Sequence, residues 1–178
     1  MGCLGAYEYD EFNTEKRSLS NTERGEYNCG GFALGLYNWY LPYPQEMRDE
    51  LSSFFGGWTK SYRKTMYIMV NYMVNTLPVR VIKSLKYLDE ETEYCVAFRL
   101  SQADFHYVKR YKEGVWYHKR GGSHHIARME EKEVFSKKGW INGMYNSNIV
   151  LLAVKKRQFR GWQMFNPHGI INLTKERK

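Results

Sequence analysis

The sequence predicts an α+β fold, in which helices in the first half of the chain precede an antiparallel β-sheet in the second. Before Pro78, apolar residues recur at helical spacing; after Pro78, short runs of β-branched and aromatic residues alternate with turn residues. The chain has 178 residues, enough for one domain with a substantial core. We therefore expect an irregular arm over 1–26 and a single α+β domain over 27–178.

Three helices are predicted before Pro78. The first begins near Gly30 and ends before Pro42, because proline interrupts a helix. The second covers 45–55 and the third covers 60–75, where apolar residues three and four positions apart form one face. These faces predict helices that pack on the sheet.

Six strands and one more helix are predicted after Pro78. Runs rich in β-branched and aromatic residues indicate the strands, which we place at 79–82, 93–100, 104–111, 115–120, 148–155 and 161–165. An acidic stretch over 128–135 predicts a short helix. Cys95 lies inside the second strand and is expected to be a small buried side chain.

The third and fourth strands are expected to form a hairpin around a three-residue loop, 112–114. Its last residue, Gly114, favours the left-handed backbone conformation and a β-bulge. In this register Tyr111 pairs with Val115, and His106 and His118 lie on the same face of the sheet. A two-residue turn would shift the pairing by one residue and turn His118 to the opposite face.

Cys29 is the candidate nucleophile. It lies in Tyr27-Asn28-Cys29-Gly30-Gly31-Phe32-Ala33-Leu34-Gly35-Leu36, where a loop gives way to the first helix. The start of a helix lowers the pKa of a thiol and favours the reactive thiolate. The alternative is that Cys29 is a small buried hydrophobic residue, as most free cysteines are.

His106 is the candidate general base for Cys29. A base of this kind needs a third group that fixes its tautomer and orientation. His118 is the first candidate for that role, and Asp104 is the second. The alternative is that both histidines lie on a solvated edge of the sheet without a catalytic role.

The chain is basic and rich in aromatic residues. Lys and Arg total 27 against 19 Asp and Glu, a net charge of +8, and there are 15 Tyr, 9 Phe and 5 Trp. Phosphates pair with Lys and Arg while bases stack on aromatic rings, so a surface for nucleic acid is one prediction. The alternative is that the charge only maintains solubility. The candidate contacts are Lys109, Arg110, Lys112, Lys119, Arg120, Lys155, Lys156, Arg157 and Arg160.

Several functional classes are not expected. The three cysteines lack the spacing of a disulfide framework or a zinc site, which predicts a reduced, cytoplasmic protein. His118, His124 and His125 lack the paired cysteines or the His-Glu-x-x-His motif of a metal site, and no phosphate-binding glycine loop indicates a nucleotide cofactor. We expect neither metal nor cofactor. Neither a membrane span nor a signal peptide is expected.

Three short segments resemble small papain-like cysteine hydrolases of phages and low-GC bacteria. They are Asn28-Cys29-Gly30-Gly31-Phe32-Ala33-Leu34, Asp104-Phe105-His106-Tyr107 and Trp116-Tyr117-His118-Lys119-Arg120-Gly121-Gly122. The resemblance implies a nucleophile at a helix start, a histidine on a strand and a polar residue on the next strand that orients the histidine. It also implies a location in the cytoplasm of a bacterial host. No clear glutamine precedes Cys29 to complete an oxyanion hole, so the backbone N–H groups of Cys29 and Gly30 are the candidates for that role.

Two functions remain open at this point. The first is acyl transfer, in which Cys29 attacks a peptide or amide substrate and His106 moves the proton. The second is a phage effector whose basic, aromatic surface binds RNA, DNA or a nucleoprotein such as a CRISPR effector. In that case the cysteine–histidine site is repurposed, for example for RNA cleavage with His106 as acid–base.

Overall fold

The protein folds as four helices and a six-stranded antiparallel sheet over the described residues, which confirms the α+β class. The structure, a computed structural model, describes residues 27–36, 38–53, 56–120 and 126–156. The helices are α1 (Cys29–Ala33), α2 (Arg48–Leu51), α3 (Tyr62–Thr76) and α4 (Glu131–Val134). The strands are β1 (Val79–Ile82), β2 (Glu93–Leu100), β3 (Phe105–Lys112), β4 (Val115–Lys119), β5 (Ile126–Glu130) and β6 (Val150–Lys155).

The strands lie in the order β1-β6-β2-β3-β4-β5, and every pairing is antiparallel. All eight residues of the central strand β2 are buried. Alternate residues of a strand point to opposite faces, and accordingly Val96 and Phe98 join one apolar cluster while Cys95 and Ala97 join another. Both faces of the sheet are therefore covered.

Different parts of the chain supply the two clusters. The first cluster contains Cys29 and Ala33 of α1 and Met69 and Met73 of α3. The second contains residues of α4 and of the segment that follows it, among them Trp140. β3 lies between the two clusters, so its side chains contact the first cluster on one face of the sheet and the second cluster on the other.

Two of the predicted helices are shorter than expected. The first ends at Ala33 and not near Pro42, because Gly30 and Gly31 are weak helix formers and Gly35 adopts a left-handed φ of 66°. The second, predicted over 45–55, is a 3₁₀ turn at Gln45–Met47 followed by the single turn of α2. The third agrees with the prediction and is capped by Ser61, whose side chain accepts the Lys64 N–H.

Half of the region predicted as a helix over 128–135 has a different conformation. Its first three residues belong to β5, which pairs with β4 from Val115–Glu130 to Lys119–Ile126. Only Glu131–Val134 is helical, and it begins with a capping box formed by Glu130 and Glu133. Pairing with β4 stabilises the extended conformation over the weak local preference for helix.

The hairpin between β3 and β4 has the predicted register at its histidines, but for a different reason. Lys112 pairs with Val115 across a two-residue turn, and Gly114 has the expected left-handed φ of 74°. A bulge between Arg110 and Lys112 then adds one residue, so that Lys109 pairs with Tyr117. The bulge offsets the shift that the shorter turn introduces.

The predicted arm over 1–26 and the predicted last strand over 161–165 lie outside the described residues. The division of the chain into an arm and one domain stays a prediction. None of the helices in the described ranges has the length and apolar character needed to cross a bilayer.

Candidate active site

Asn28 fixes the position of Cys29. Its side-chain oxygen accepts the N–H of Gly31 at 3.0 Å and the N–H of Tyr40 at 3.1 Å, and its amide nitrogen donates to the Tyr40 carbonyl at 2.7 Å. A Cβ on Gly31 would lie 1.9 Å from the carbonyl oxygen of Asn38. The Asn-Cys-Gly-Gly sequence therefore holds α1 against the segment that follows it.

The Cys29 sulfur lies beside the main chain of β3. Its thiol donates to the carbonyl of Phe105 at 3.9 Å, and the backbone N–H of Tyr107 also faces it. The ladder between β3 and β4 ends at Lys109 and Tyr117, although β4 continues to pair with β5 as far as Lys119. The Phe105 carbonyl and the Tyr107 N–H flank His106 in the chain, so the sulfur lies next to the main chain of the predicted base.

The pKa of Cys29 is raised and not lowered, which corrects the expectation for this thiol. Burial raises the pKa of Cys29 to about 12, and the negative charge of Asp104 acts in the same direction. The Tyr107 and Gly30 backbone N–H groups oppose this change. Only 4% of the Cys29 surface is exposed and α1 has five residues, so desolvation outweighs the helix dipole. Cys29 is a neutral thiol at pH 7.

His106 and His118 form a buried pair, as predicted. The Nε2 atom of His106 lies 2.8 Å from the Nδ1 atom of His118, and their rings are nearly perpendicular. One of these two nitrogens carries the shared proton, and the pair fixes the orientation of both rings. The Nδ1 atom of His106 is the nitrogen left for another partner.

Both imidazoles are neutral near pH 7. Burial lowers the pKa of His106 well below its ordinary value, and repulsion from a protonated His118 and from Arg120 adds to this. Burial likewise lowers the pKa of His118 to about 4. The His106 ring packs against Tyr145 with ring centroids 5.0 Å apart, and against Trp140 at 6.2 Å. The expectation of a solvated edge is therefore wrong for both histidines.

A cavity of about 440 Å³ connects the thiol and the imidazole. Cys29 and His106 both line it, although Phe105 and Tyr107 point into the first cluster and His106 packs against residues of the second. The other lining residues are Asn28, Trp39, Leu41, Tyr43, Arg48, Ser52, Trp58, Ala103, Asp104, Phe105, Arg120, Ile141, Met144 and Tyr145. The cavity thus opens where residues of both layers meet.

The predicted hydrogen bond between Cys29 and His106 is not formed in the described part of the chain. The thiol donates to the Phe105 carbonyl at 3.9 Å. His106 uses its Nε2 atom for His118. The structure therefore brings the two residues to one cavity, with Cys29 packed in the first cluster and the His106 ring packed against residues of the second.

Asp104 does not orient His106 directly, which corrects the second candidate for that role. Its Oδ2 atom accepts the hydroxyl of Tyr145 at 2.8 Å, and its Oδ1 atom accepts the N–H of Phe105 at 2.7 Å. Because the Tyr145 ring packs against His106, Asp104 holds the base only through Tyr145. Sequence reasoning missed Tyr145, which lies in a segment without a chemical motif.

Sequence reasoning also missed the hairpin tip that closes one side of the cavity. Trp140 and Tyr145 exchange two backbone hydrogen bonds, and the turn between them has positive φ at Ile141 (52°), Asn142 (57°) and Gly143 (77°). Left-handed backbone at a β-branched residue such as Ile141 is strained. The Asn-Gly dipeptide is a strong hairpin signal and was available in the sequence.

Three predicted nucleic-acid contacts are in the interior, which corrects that part of the prediction. Lys109 is 1% exposed and Lys119 is 0% exposed, with their ammonium groups near aromatic rings. Arg110 is also buried and pairs with Glu90 at 2.8 Å. Arg120 and Lys155 are exposed, whereas Lys156 is half-buried. The side chain of Lys112 and the residues Arg157 and Arg160 lie outside the described part.

No group of three or more metal-ligating side chains occurs among the described residues; His124 and His125 lie outside them. The resemblance to papain-like hydrolases stays a prediction based on three short segments. No protein-family model, curated protein or solved structure matches this chain.

Proposed function

We propose that this protein is a cysteine-dependent hydrolase with a papain-like arrangement, which cleaves a peptide or amide bond. Cys29 is the nucleophile, His106 is the general base, and His118 positions His106. The main support is the position of the Cys29 sulfur beside the main chain of His106, in a cavity that both side chains line. The 2.8 Å contact between the two histidines supports the assignment of the base.

The pKa values favour a neutral thiol and a neutral imidazole in the resting site. Burial raises the pKa of Cys29 and lowers the pKa of His106, so a preformed ion pair is disfavoured on both sides. The base therefore removes the thiol proton during the attack and not before it. This differs from a site in which a helix dipole stabilises a resting thiolate.

The attack begins when the thiol turns from the Phe105 carbonyl towards the Nδ1 atom of His106. The sulfur forms a bond to the carbonyl carbon of the substrate while its proton passes to His106. The same proton then protonates the leaving amine, and an acyl-enzyme remains. Water attacks the carbonyl carbon of this thioester and gives a proton to His106. The carbon–sulfur bond then breaks, the proton passes from His106 to the sulfur, and the acid product leaves.

His118 and Asp104 stabilise the charges that arise in this sequence. His118 is held 2.8 Å from the Nε2 atom of His106, so it keeps the Nδ1 atom directed to the reacting groups. Asp104 is the acidic residue that lines the cavity, and it is fixed by Tyr145. The N–H groups of Cys29 and Gly30 are the proposed donors to the oxyanion.

Release of a fluorescent amine from a library of peptidyl aminocoumarin amides tests this proposal. We expect Cys29→Ala and His106→Ala each to lower kcat/KM by about 10³-fold or more, and the double variant to be no worse than either single variant. Such non-additivity shows that the two residues act as one unit. Cys95→Ala is the matched control, because it removes a buried thiol outside the cavity.

Circular dichroism and thermal unfolding establish that each variant retains the fold. Wild-type activity in Cys29→Ala, with the fold intact, contradicts the assignment of the nucleophile. Additive losses in the double variant contradict the assignment of His106 as its base.

A further inference from the structure

Two arginines of the cavity have no acidic partner among the described residues. Arg48 lies at the start of α2 and Arg120 directly follows β4, and both line the cavity with Cys29. Within the described ranges, neither guanidinium forms an ion pair or a side-chain hydrogen bond. Both residues are exposed to solvent.

Arg80, Arg99 and Arg110 of the described chain have partners, whereas Arg63 on α3 is exposed and lies outside this cavity. Arg80 makes a two-pronged contact with Glu93 at 2.8 Å, and Arg110 pairs with Glu90 at 2.8 Å. Arg99 donates to three backbone carbonyls. Arg48 and Arg120 therefore stand out as cations at the cavity that no described acidic residue neutralises.

Asp104, the carboxylate that lines the cavity, is not an ion-pair partner of either arginine. Both oxygens of Asp104 already accept hydrogen bonds, from the hydroxyl of Tyr145 and from the N–H of Phe105. The residues that line the cavity include one acidic residue, Asp104, and two arginines. The cavity thus carries an excess of positive charge around a neutral thiol.

The charges of these arginines reach the walls of the cavity. Burial lowers the pKa of His106 and of His118 and the positive charge of Arg120 adds to this, whereas burial raises the pKa of Tyr145 and Arg120 opposes it. The positive charge of Arg48 opposes the burial that raises the pKa of Tyr43. Each arginine thus acts on a different part of the lining.

We propose that the cavity binds substrates with a carboxylate close to the scissile amide, and that Arg48 and Arg120 recognise this carboxylate. A guanidinium presents several N–H donors in a plane, which matches the two oxygens of a carboxylate. A partly enclosed site strengthens such a contact relative to open water. This inference rests on the proposed hydrolase and specifies its substrate class.

Alkylation of Cys29 by two reagents of similar size tests the inference without a known substrate. Iodoacetate carries a carboxylate and iodoacetamide is its neutral counterpart. In both reactions the sulfur forms a bond to the methylene carbon, iodide leaves with the electrons of the carbon–iodine bond, and the thiol proton passes to His106 or water. Mass spectrometry of the Cys29 peptide gives the two rate constants.

We expect the rate ratio of iodoacetate to iodoacetamide at Cys29 to be about tenfold higher in the folded protein than in urea-denatured protein. Arg48→Gln and Arg120→Gln should each lower this ratio several-fold, and the double variant should bring it to the denatured value. Arg63→Gln is the matched control, because it removes an exposed arginine that does not line this cavity. High salt should reduce the ratio in the wild type.

The outcomes separate this inference from the function on which it rests. A ratio equal to the denatured value, or one that the double variant leaves unchanged, overturns the carboxylate site while Cys29 remains a reactive nucleophile. A folded protein in which neither reagent modifies Cys29 overturns both the nucleophile and the inference. Preferential loss of the iodoacetate rate in the arginine variants supports the inference.

Discussion

The two ends of the β3–β4 hairpin each lie beside a buried cysteine, but they differ in their backbone pairing. At the turn end, Lys109 and Arg110 pair with Tyr117 and Trp116, and Cys95 shares an apolar cluster with Trp116. At the other end the ladder between the two strands stops, and Cys29 contacts the main chain of β3. We call these the closed end and the open end.

Desolvation alone does not distinguish the two thiols. Burial raises the pKa of Cys29 to about 12 and that of Cys95 to about 12. Cys29 lines the cavity with His106, whereas Cys95 is fully buried and does not line this cavity. Cys29 is the candidate for chemistry because it lines the cavity at the end where the ladder between β3 and β4 has stopped, and not because its pKa is lowered.

The largest expected difference between the two ends is in alkylation rate. We expect iodoacetamide at pH 7.5 to modify Cys29 at least about 10³-fold faster than Cys95, because Cys95 reacts only when the core opens and opening costs several kcal/mol. Peptide mass spectrometry at successive times measures both rates in the same sample.

Denatured protein is the control for that measurement, since the two cysteines should react there at similar rates. Equal rates in the folded protein would mean that the open end is no more accessible than the closed end.

Acid is expected to lower the free energy of unfolding through the histidine pair at the open end. The pKa of His118 is about 4 in the folded protein against 6.5 ordinarily, and that of His106 is also lowered. Below pH 6.5 the unfolded chain binds protons that the folded chain does not, so the free energy of unfolding decreases as the pH falls towards 4. For His118 alone, the difference corresponds to on the order of 3 kcal/mol.

Urea unfolding at pH 7.5 and at pH 5 measures this dependence. His118→Gln should flatten it, because glutamine does not take up a proton in this range. The carboxylates with lowered pKa, Glu93 and Asp89, contribute only below about pH 4.5, where they become protonated. A wild-type protein that is equally stable at both pH values contradicts the buried, neutral histidine pair.

The strands and the long helix were predictable because their signals are local. Alternation and β-branched residues placed β1 and β2 at their observed bounds, and the spacing of Met69 and Met73 indicated α3. The register that joins His106 to His118 was also predicted, although the bulge at the closed end was placed wrongly. The histidine pair was therefore predicted through a loop length that was one residue too long, an error that the bulge offset.

The rest of the candidate site depends on contacts between distant parts of the chain. The raised pKa of Cys29 results from burial against β3, 76 residues away. Tyr145 reaches Asp104 across 41 residues. A single sequence does not reveal such contacts, because propensity and spacing describe only neighbouring residues.

The smallest expected effect is at the turn of the closed end. Gly114 has a left-handed φ of 74°, and no atom lies within 4 Å of the position of a Cβ there. Gly114→Ala should therefore lower the free energy of unfolding by about 1 kcal/mol through backbone strain alone, and Gly114→Asn by less, since asparagine tolerates this conformation. Because the bulge next to Arg110 sets the register of His118, neither variant should change the alkylation rate of Cys29. Urea unfolding and the Cys29 rate measure both effects, and a slower Cys29 in Gly114→Ala would show that the turn, and not the bulge, positions the histidine pair.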